Sequence, residues 1–239
     1  MEQPNKDRSL VSKVMDGLVT GIVEEKYGAV LPPQDVLSKD FDVSRTVMRE
    51  ALSMLLARHM LDVRPKIGTR IRPMRDWRMI DEEVVNWRFR AKPDQTFLRD
   101  VIEFRMLIEP RASAQAAARA TPAEIAGIRD AYTAFRALRP GDAGYAEADE
   151  LLHTRILVAS GNQFFQQMAA ILRGALSAAR EVVDQKDGVW QATLDTHARV
   201  VSAIERHDPK DAEAASRALI DFTADEICRM FEAERPVSG

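Results

Sequence analysis

Strand-like alternation is confined to one short stretch of this 239-residue chain, and that confinement limits the fold more than any other feature. In "MLDVRPKIGTRIRP", residues 60–73, Leu61 and Val63 alternate with polar residues. Ile67 and Gly68 occupy a turn, and Ile71 alternates again before Pro73. This is the pattern of a β-hairpin. On both sides of it the apolar residues recur at helical spacing. Residues 8–26 place Leu10, Val14, Leu18, Ile22 and Val23 on one face, and Gly28 ends the run. "LPPQDVLSKDF" opens a second helix at Pro32 and Pro33, with Leu37 and Phe41 spaced for its buried face. Asp42 and Val43 make a tight turn, and Ser44 is a good N-cap for a third helix running to about His59. Three short helices followed by a hairpin predict a winged helix-turn-helix. In that arrangement the second helix of the turn enters the DNA major groove.

From Trp77 onward strand signals vanish. "DEEVVNWRFR" reads as a linking helix starting near Asp81. Asp94 or Thr96 opens a long helix to about Ala118, with a kink expected near Ile108 because Pro110 interrupts it. Thr121, Pro122 and Glu124 spell a capping box with proline at the first helical position. Further helices end near Gly161, cover "QFFQQMAAILRGALSAAREVVD", and run from Trp190 to Arg206 and Asp211 to Glu232. The expected fold is mainly α: a winged helix-turn-helix over 1–75, a linker helix over 76–93, and an all-helical antiparallel bundle of six or seven helices over 94–239.

Charge divides the chain in the same way. Its net charge is −3, yet residues 43–75 carry eight Lys or Arg against Glu50 and Asp62. Residues 76–239 carry 21 basic and 27 acidic residues. A basic segment on an acidic body suggests that one part meets a polyanion. A solvated charged face is the simpler reading of charge alone. Arg45 and Arg49 lie four apart on the third helix, so they share a face beside the apolar stripe Val43, Val47, Ala51 and Leu55. Such a pair can read guanine, clamp phosphate, or pair with Glu50 or Asp42. With the hairpin and the charge split, DNA is the expected target. Thr46 beside them and Arg64, Lys66 and Gly68 on the hairpin complete the candidate contact set. The single cysteine, Cys228, excludes an intramolecular disulfide framework. No apolar run approaches a membrane span, and "MEQPNKDRS" lacks a signal-peptide core, so the expected location is the cytoplasm.

A second constellation lies in the helical half. Asp149 and His153 are one turn apart, with Ile156 and Ser160 continuing their face, so both side chains point inward. His197 sits on a later apolar stripe with Thr193 one turn before it and Ile204 two turns after. An inward carboxylate and two inward imidazoles can ligate a divalent cation. Each can equally be a hydrogen-bonded core residue. Arg105, flanked by Val101, Ile108 and Ala112, also faces inward and needs an anion. Glu109 four residues on, or a bound carboxylate, could supply it. A catalytic metal site would need a further inward acid or base, and none is evident.

"LPPQDVLSKDFDVSRTVMREAL" with "GTRI" resembles the DNA-binding signature of GntR-type transcriptional regulators. "FRMLIEPRASAQAAARAT", "ADELLHTRILVASGN" and "DTHARVVSAIERHDPKDAEAA" resemble, in order, the blocks of the FCD effector domain in the FadR-like branch. "RDWRMIDEEVVNWRF" is similar to the linker of sugar-acid-responsive, galactonate-type repressors. The resemblance implies a homodimer on a palindromic operator, no enzymatic activity, and a small carboxylate effector bound in the bundle. It also implies a divalent metal ion, zinc foremost with nickel or manganese as alternatives, held by one Asp and three His. Asp149, His153 and His197 match three of those ligands, and the fourth falls near Phe222, which cannot ligate. Arg105 matches a position near the effector carboxylate, and Thr193 is its second candidate contact. Arg45, Arg49, Lys66 and Gly68 match DNA-touching positions, whereas Asp35 stands where the pattern has a basic residue. A metal-free effector domain of the fatty-acyl type, or one for hydroxy acids, is the alternative that the missing histidine supports.

Overall fold

The computed structural model describes residues 3–90, 95–183 and 189–233. The chain forms two compact units, Met1–Lys92 and Pro93–Gly239. Residues 91–93 of the expected linker, and Asp94 as a helix start, lie outside the described residues.

The first unit holds α1 (Gln3–Val23), α2 (Gln34–Asp40), α3 (Arg45–Ala57), β1 (Leu61–Arg64), β2 (Gly68–Ile71) and α4 (Glu82–Arg90). Ser44 caps α3 as expected, its hydroxyl accepting from the Val47 amide at 3.2 Å. Val47, Met48, Ala51 and Leu55 are the buried stripe of α3, packed with Leu18 and Leu37. The hairpin pairs Leu61 with Ile71 and Val63 with Thr69. Leu61 enters the core, but Val63 is 62% exposed, because the strands run out beyond the helices that would cover it. A third edge is added by residues 29–31: the Leu31 amide donates to Thr69 at 2.8 Å and the Ile71 amide to Ala29 at 3.0 Å. One bridge, Val30 to Arg70, is too short to leave an alternating pattern before Pro32.

The segment expected as a linker contributes to this unit's core. Trp77, Val84 and Trp87 are buried in it. The Trp87 indole donates to Asp16 on α1 at 2.6 Å. Arg58, just after α3, donates to the Met54 carbonyl at 3.3 Å, forms ion pairs with Asp81 and Glu83, and lies 5.8 Å from the Trp87 ring. The recognition helix and the chain leading out of the unit are therefore fastened at one cation.

The second unit is all-helical in its described residues: α5 (Gln95–Arg119), α6 (Pro122–Arg136), α7 (Tyr145–Ala159), α8 (Gln163–Val183), α9 (Val189–Glu205) and α10 (Pro209–Ala233). The capping box at Thr121 and Glu124 is present in both directions. α5 continues through Pro110 without a break, its inward stripe running Val101, Arg105, Glu109, Ala112, Ser113, Ala116. The core centres on Phe135, whose ring stacks on Tyr145 at 5.5 Å and meets His197 at 5.1 Å. Mostly helical with one two-stranded sheet, the chain has the architecture expected from its sequence.

Candidate metal centre and nucleic-acid interface

α7 and α9 bring Asp149, His153 and His197 together, each no more than 6% exposed. The two imidazole Nε2 atoms are 3.2 Å apart. Asp149 Oδ1 is 3.7 Å from His153 Nε2 and 3.4 Å from His197 Nε2. Atoms each about 2.1 Å from a tetrahedral ion stand about 3.4 Å from one another. The triangle thus has the size of three corners of a coordination shell.

The proton positions follow from the outer partners. His197 Nδ1 lies 2.7 Å from the Thr193 carbonyl oxygen, which only accepts, so the ring donates there. His153 Nδ1 lies 2.9 Å from Glu109 Oε2. Burial pushes the Glu109 carboxyl up, but the Arg105 charge, then that of His153 and its hydrogen bond, outweigh burial and hold it down at about 2. Glu109 is therefore ionised and also only accepts. In the neutral form that ligates a metal, each imidazole keeps its proton on the Nδ1 that faces an acceptor and presents its Nε2 lone pair towards the other ring and the Asp149 carboxylate. Three donor atoms converging in this way can hold a cation at their centre. The residues present fit a divalent ion, and an outer carboxylate and an outer carbonyl orient the two rings that would ligate it.

A small cavity of about 10 Å³, about the room of one water molecule, adjoins the cluster and is lined by Glu109, Ser113, His153, His197, Ser216 and Leu219 among others. Phe222 does not line it; α10 contributes Ser216 and Leu219 there. Arg105 and Thr193 do not line it. Arg105 is 2% exposed and donates to Glu109 at 2.6 Å, so of its two candidate anions the structure supplies the carboxylate of its own helix. The Thr193 hydroxyl donates to the Val189 carbonyl at 3.0 Å. Sequence reasoning missed that Glu109 also holds His153, and missed both serines. The inward spacing Arg105, Glu109, Ser113 was the available signal.

On the first unit, Arg45, Thr46 and Arg49 are exposed on α3, opposite its buried stripe, and Arg64, Lys66 and Gly68 are exposed on the hairpin. Lys66 and Gly68 both have positive φ, 64° and 103°. A Cβ on Gly68 would meet only Val30 at 3.6 Å, so the backbone angle, not space, favours glycine. Arg45 pairs with Asp35 at 2.9 Å, rather than with Glu50 or Asp42. Arg64 pairs with Asp62 at 3.2 Å. Among the described residues Arg49 and Lys66 have no ion-pair partner.

Comparison with known proteins places both halves. Residues 10–71 match the family model of bacterial regulatory proteins, gntR family, and residues 100–222 match that of the FCD domain. The galactonate operon transcriptional repressor of Escherichia coli K12 is 28% identical over 202 residues, covering 83% of this chain and 88% of the repressor. The putative L-lactate dehydrogenase operon regulatory protein of the same organism is 28% identical over 222 residues, covering 90% and 85%. Streptococcus agalactiae GntR superposes with a TM-score of 0.50 at 25% identity, covering 90% of this chain and 99% of that one. The Listeria monocytogenes regulator Lar, at 13% identity and a TM-score of 0.60, over 92% of this chain and 96% of its own, shares the fold. These relatives are regulators and not enzymes. The chain belongs to the GntR family of bacterial transcriptional regulators, with a GntR helix-turn-helix domain followed by an FCD domain.

Proposed function

We propose that this regulator is a homodimeric cytoplasmic repressor. A small sugar acid, bound beside a divalent cation at Asp149, His153 and His197, lowers its affinity for a palindromic operator. The observation that carries this reading is the convergence of three acceptor atoms beside a cavity bearing Ser113 and Ser216. A cation there supplies a partner for an effector carboxylate, and the serines suit its hydroxyls. Zinc suits the mixed nitrogen and oxygen ligands best, with nickel or manganese next. Arg105 acts on the effector through Glu109 and His153, and Thr193 acts through His197. The similarity to a galactonate operon repressor supports an aldonate. The equal similarity to a lactate operon regulatory protein supports a shorter hydroxy acid as the second reading.

The test is thermal melting of the purified protein against aldonic, uronic, hydroxy- and fatty acids, with and without a chelator. A ligand at 100 times its Kd adds about 2.7 kcal/mol, or roughly 5–10 °C in Tm. An aldonate shift abolished by the chelator is expected. A shift that survives chelation, or one produced only by acyl chains, removes the metal-bridged sugar acid. Operator affinity should change with saturating effector by about 1–3 kcal/mol, and an unchanged affinity removes the switch.

On the DNA side, Arg49 is the unpaired guanidinium of the recognition helix. Arg49→Ala should weaken operator binding by about 1–3 kcal/mol if Arg49 reads a base. Gel-shift titrations on operator and on random DNA decide its role. An equal loss on both assigns Arg49 to phosphate.

A further inference from the structure

We infer that Asp35 is a specificity-determining residue that turns Arg45 from a phosphate contact into a reader of guanine. The inference deepens the operator-binding reading above and rests on it. Arg45 is the first residue of α3, where recognition helices place the side chains that reach base edges. Two neighbours on α2 hold it. The Gln34 amide donates to the Arg45 carbonyl at 2.9 Å, fixing the backbone. Asp35 Oδ2 accepts from Arg45 Nη2 at 2.9 Å, fixing the guanidinium. A free arginine side chain loses considerable rotamer entropy on binding, and this one is already oriented. Its Nη1 and Nε groups are not engaged by Asp35.

Charge then selects the target. A phosphate approaching Arg45 would also approach the Asp35 carboxylate, two like charges within a few ångströms. Guanine presents O6 and N7, neutral acceptors spaced for two parallel guanidinium bonds, and meets no such repulsion. The pair carries no net charge, so it contributes little to sequence-independent attraction. That attraction falls to the partnerless Arg49 and Lys66 and to the other cations of the hairpin. As a surface ion pair, 74% and 58% exposed at its two side chains, it adds little to stability, so its removal leaves the fold intact.

The experiment is selection of a randomised double-stranded DNA library by the purified full-length protein, read by sequencing, at two salt concentrations. Wild type, Asp35→Ala, Asp35→Glu, Arg45→Lys and Arg45→Ala are compared, with Tm measured for each. Wild type should enrich guanine at one position per half-site. Asp35→Ala should flatten that position alone by about tenfold or more. It should also steepen the salt dependence, because the freed Arg45 now meets phosphate. Arg45→Lys and Arg45→Ala should lose the same position, and Asp35→Glu should restore part of the preference at unchanged Tm. An unchanged preference in Asp35→Ala, or an equal loss at every position, overturns the role. A wild-type protein that enriches no sequence removes operator recognition itself, and this role with it.

Discussion

Glu109→Ala will destabilise the second unit by about 3–5 kcal/mol, because it leaves the Arg105 guanidinium charged and buried without its anion. The two side chains are 2% and 5% exposed, and among the described residues no other carboxylate forms an ion pair with Arg105 beside the 2.6 Å contact. Urea unfolding monitored by circular dichroism measures the loss. The sign of the pH effect follows from the same contacts. The folded-state carboxyl is held down at about 2, below its ordinary value, so its stabilisation is present above that ordinary value. It is lost as pH falls through about 2. Replacing both partners by apolar residues of similar shape, Arg105→Met with Glu109→Leu, should cost far less than either change alone. That double variant still removes the acceptor from His153 Nδ1, so its metal affinity should fall by about 10–100-fold in a competition titration. A Glu109→Ala protein as stable as wild type would mean that Arg105 has another anion. Arg105 would then be free to meet an effector carboxylate directly.

The second large effect is on metal content. His153→Ala removes one of the three proposed ligands and should lower affinity well beyond the 10–100-fold of an outer partner. Metal analysis of protein purified without added metal checks stoichiometry, and titration checks affinity. Added metal should raise the Tm of wild type and leave that of the variant unmoved, since only a folded state that binds is stabilised. The effector response should vanish with the metal while the far-ultraviolet spectrum stays helical. Full metal occupancy in His153→Ala would show that the ion is held elsewhere. Loss of the helical fold would mean that the histidine serves the core, in which case His197→Ala gives the independent reading.

Much of this was legible in the chain itself. The helices, the Ser44 cap, the capping box at Thr121 and the hairpin at 61–71 each depend on residues within one or two turns of one another. The inward direction of Asp149, His153 and His197 followed from their apolar neighbours. Phe222 departs from the resemblance, and the structure keeps it out of the cavity lining. What stayed hidden involves partners far apart along the chain. Trp87 and Asp16 are 71 residues apart, and His153 and His197 are 44 apart.

Sequence alone determined which segments are helical, which face of each is apolar, and which polar residues break that face, because hydrogen-bonded turns and 3.6-residue periodicity are local. Tertiary structure decided which of those polar residues meet. It turned Glu109 towards His153 as well as Arg105, set the Nδ1 of each histidine against an acceptor, set Asp35 against Arg45, and folded the expected linker into the DNA-binding unit. The physical reason is that such contacts depend on distances between elements, and these are fixed only when the apolar faces pack.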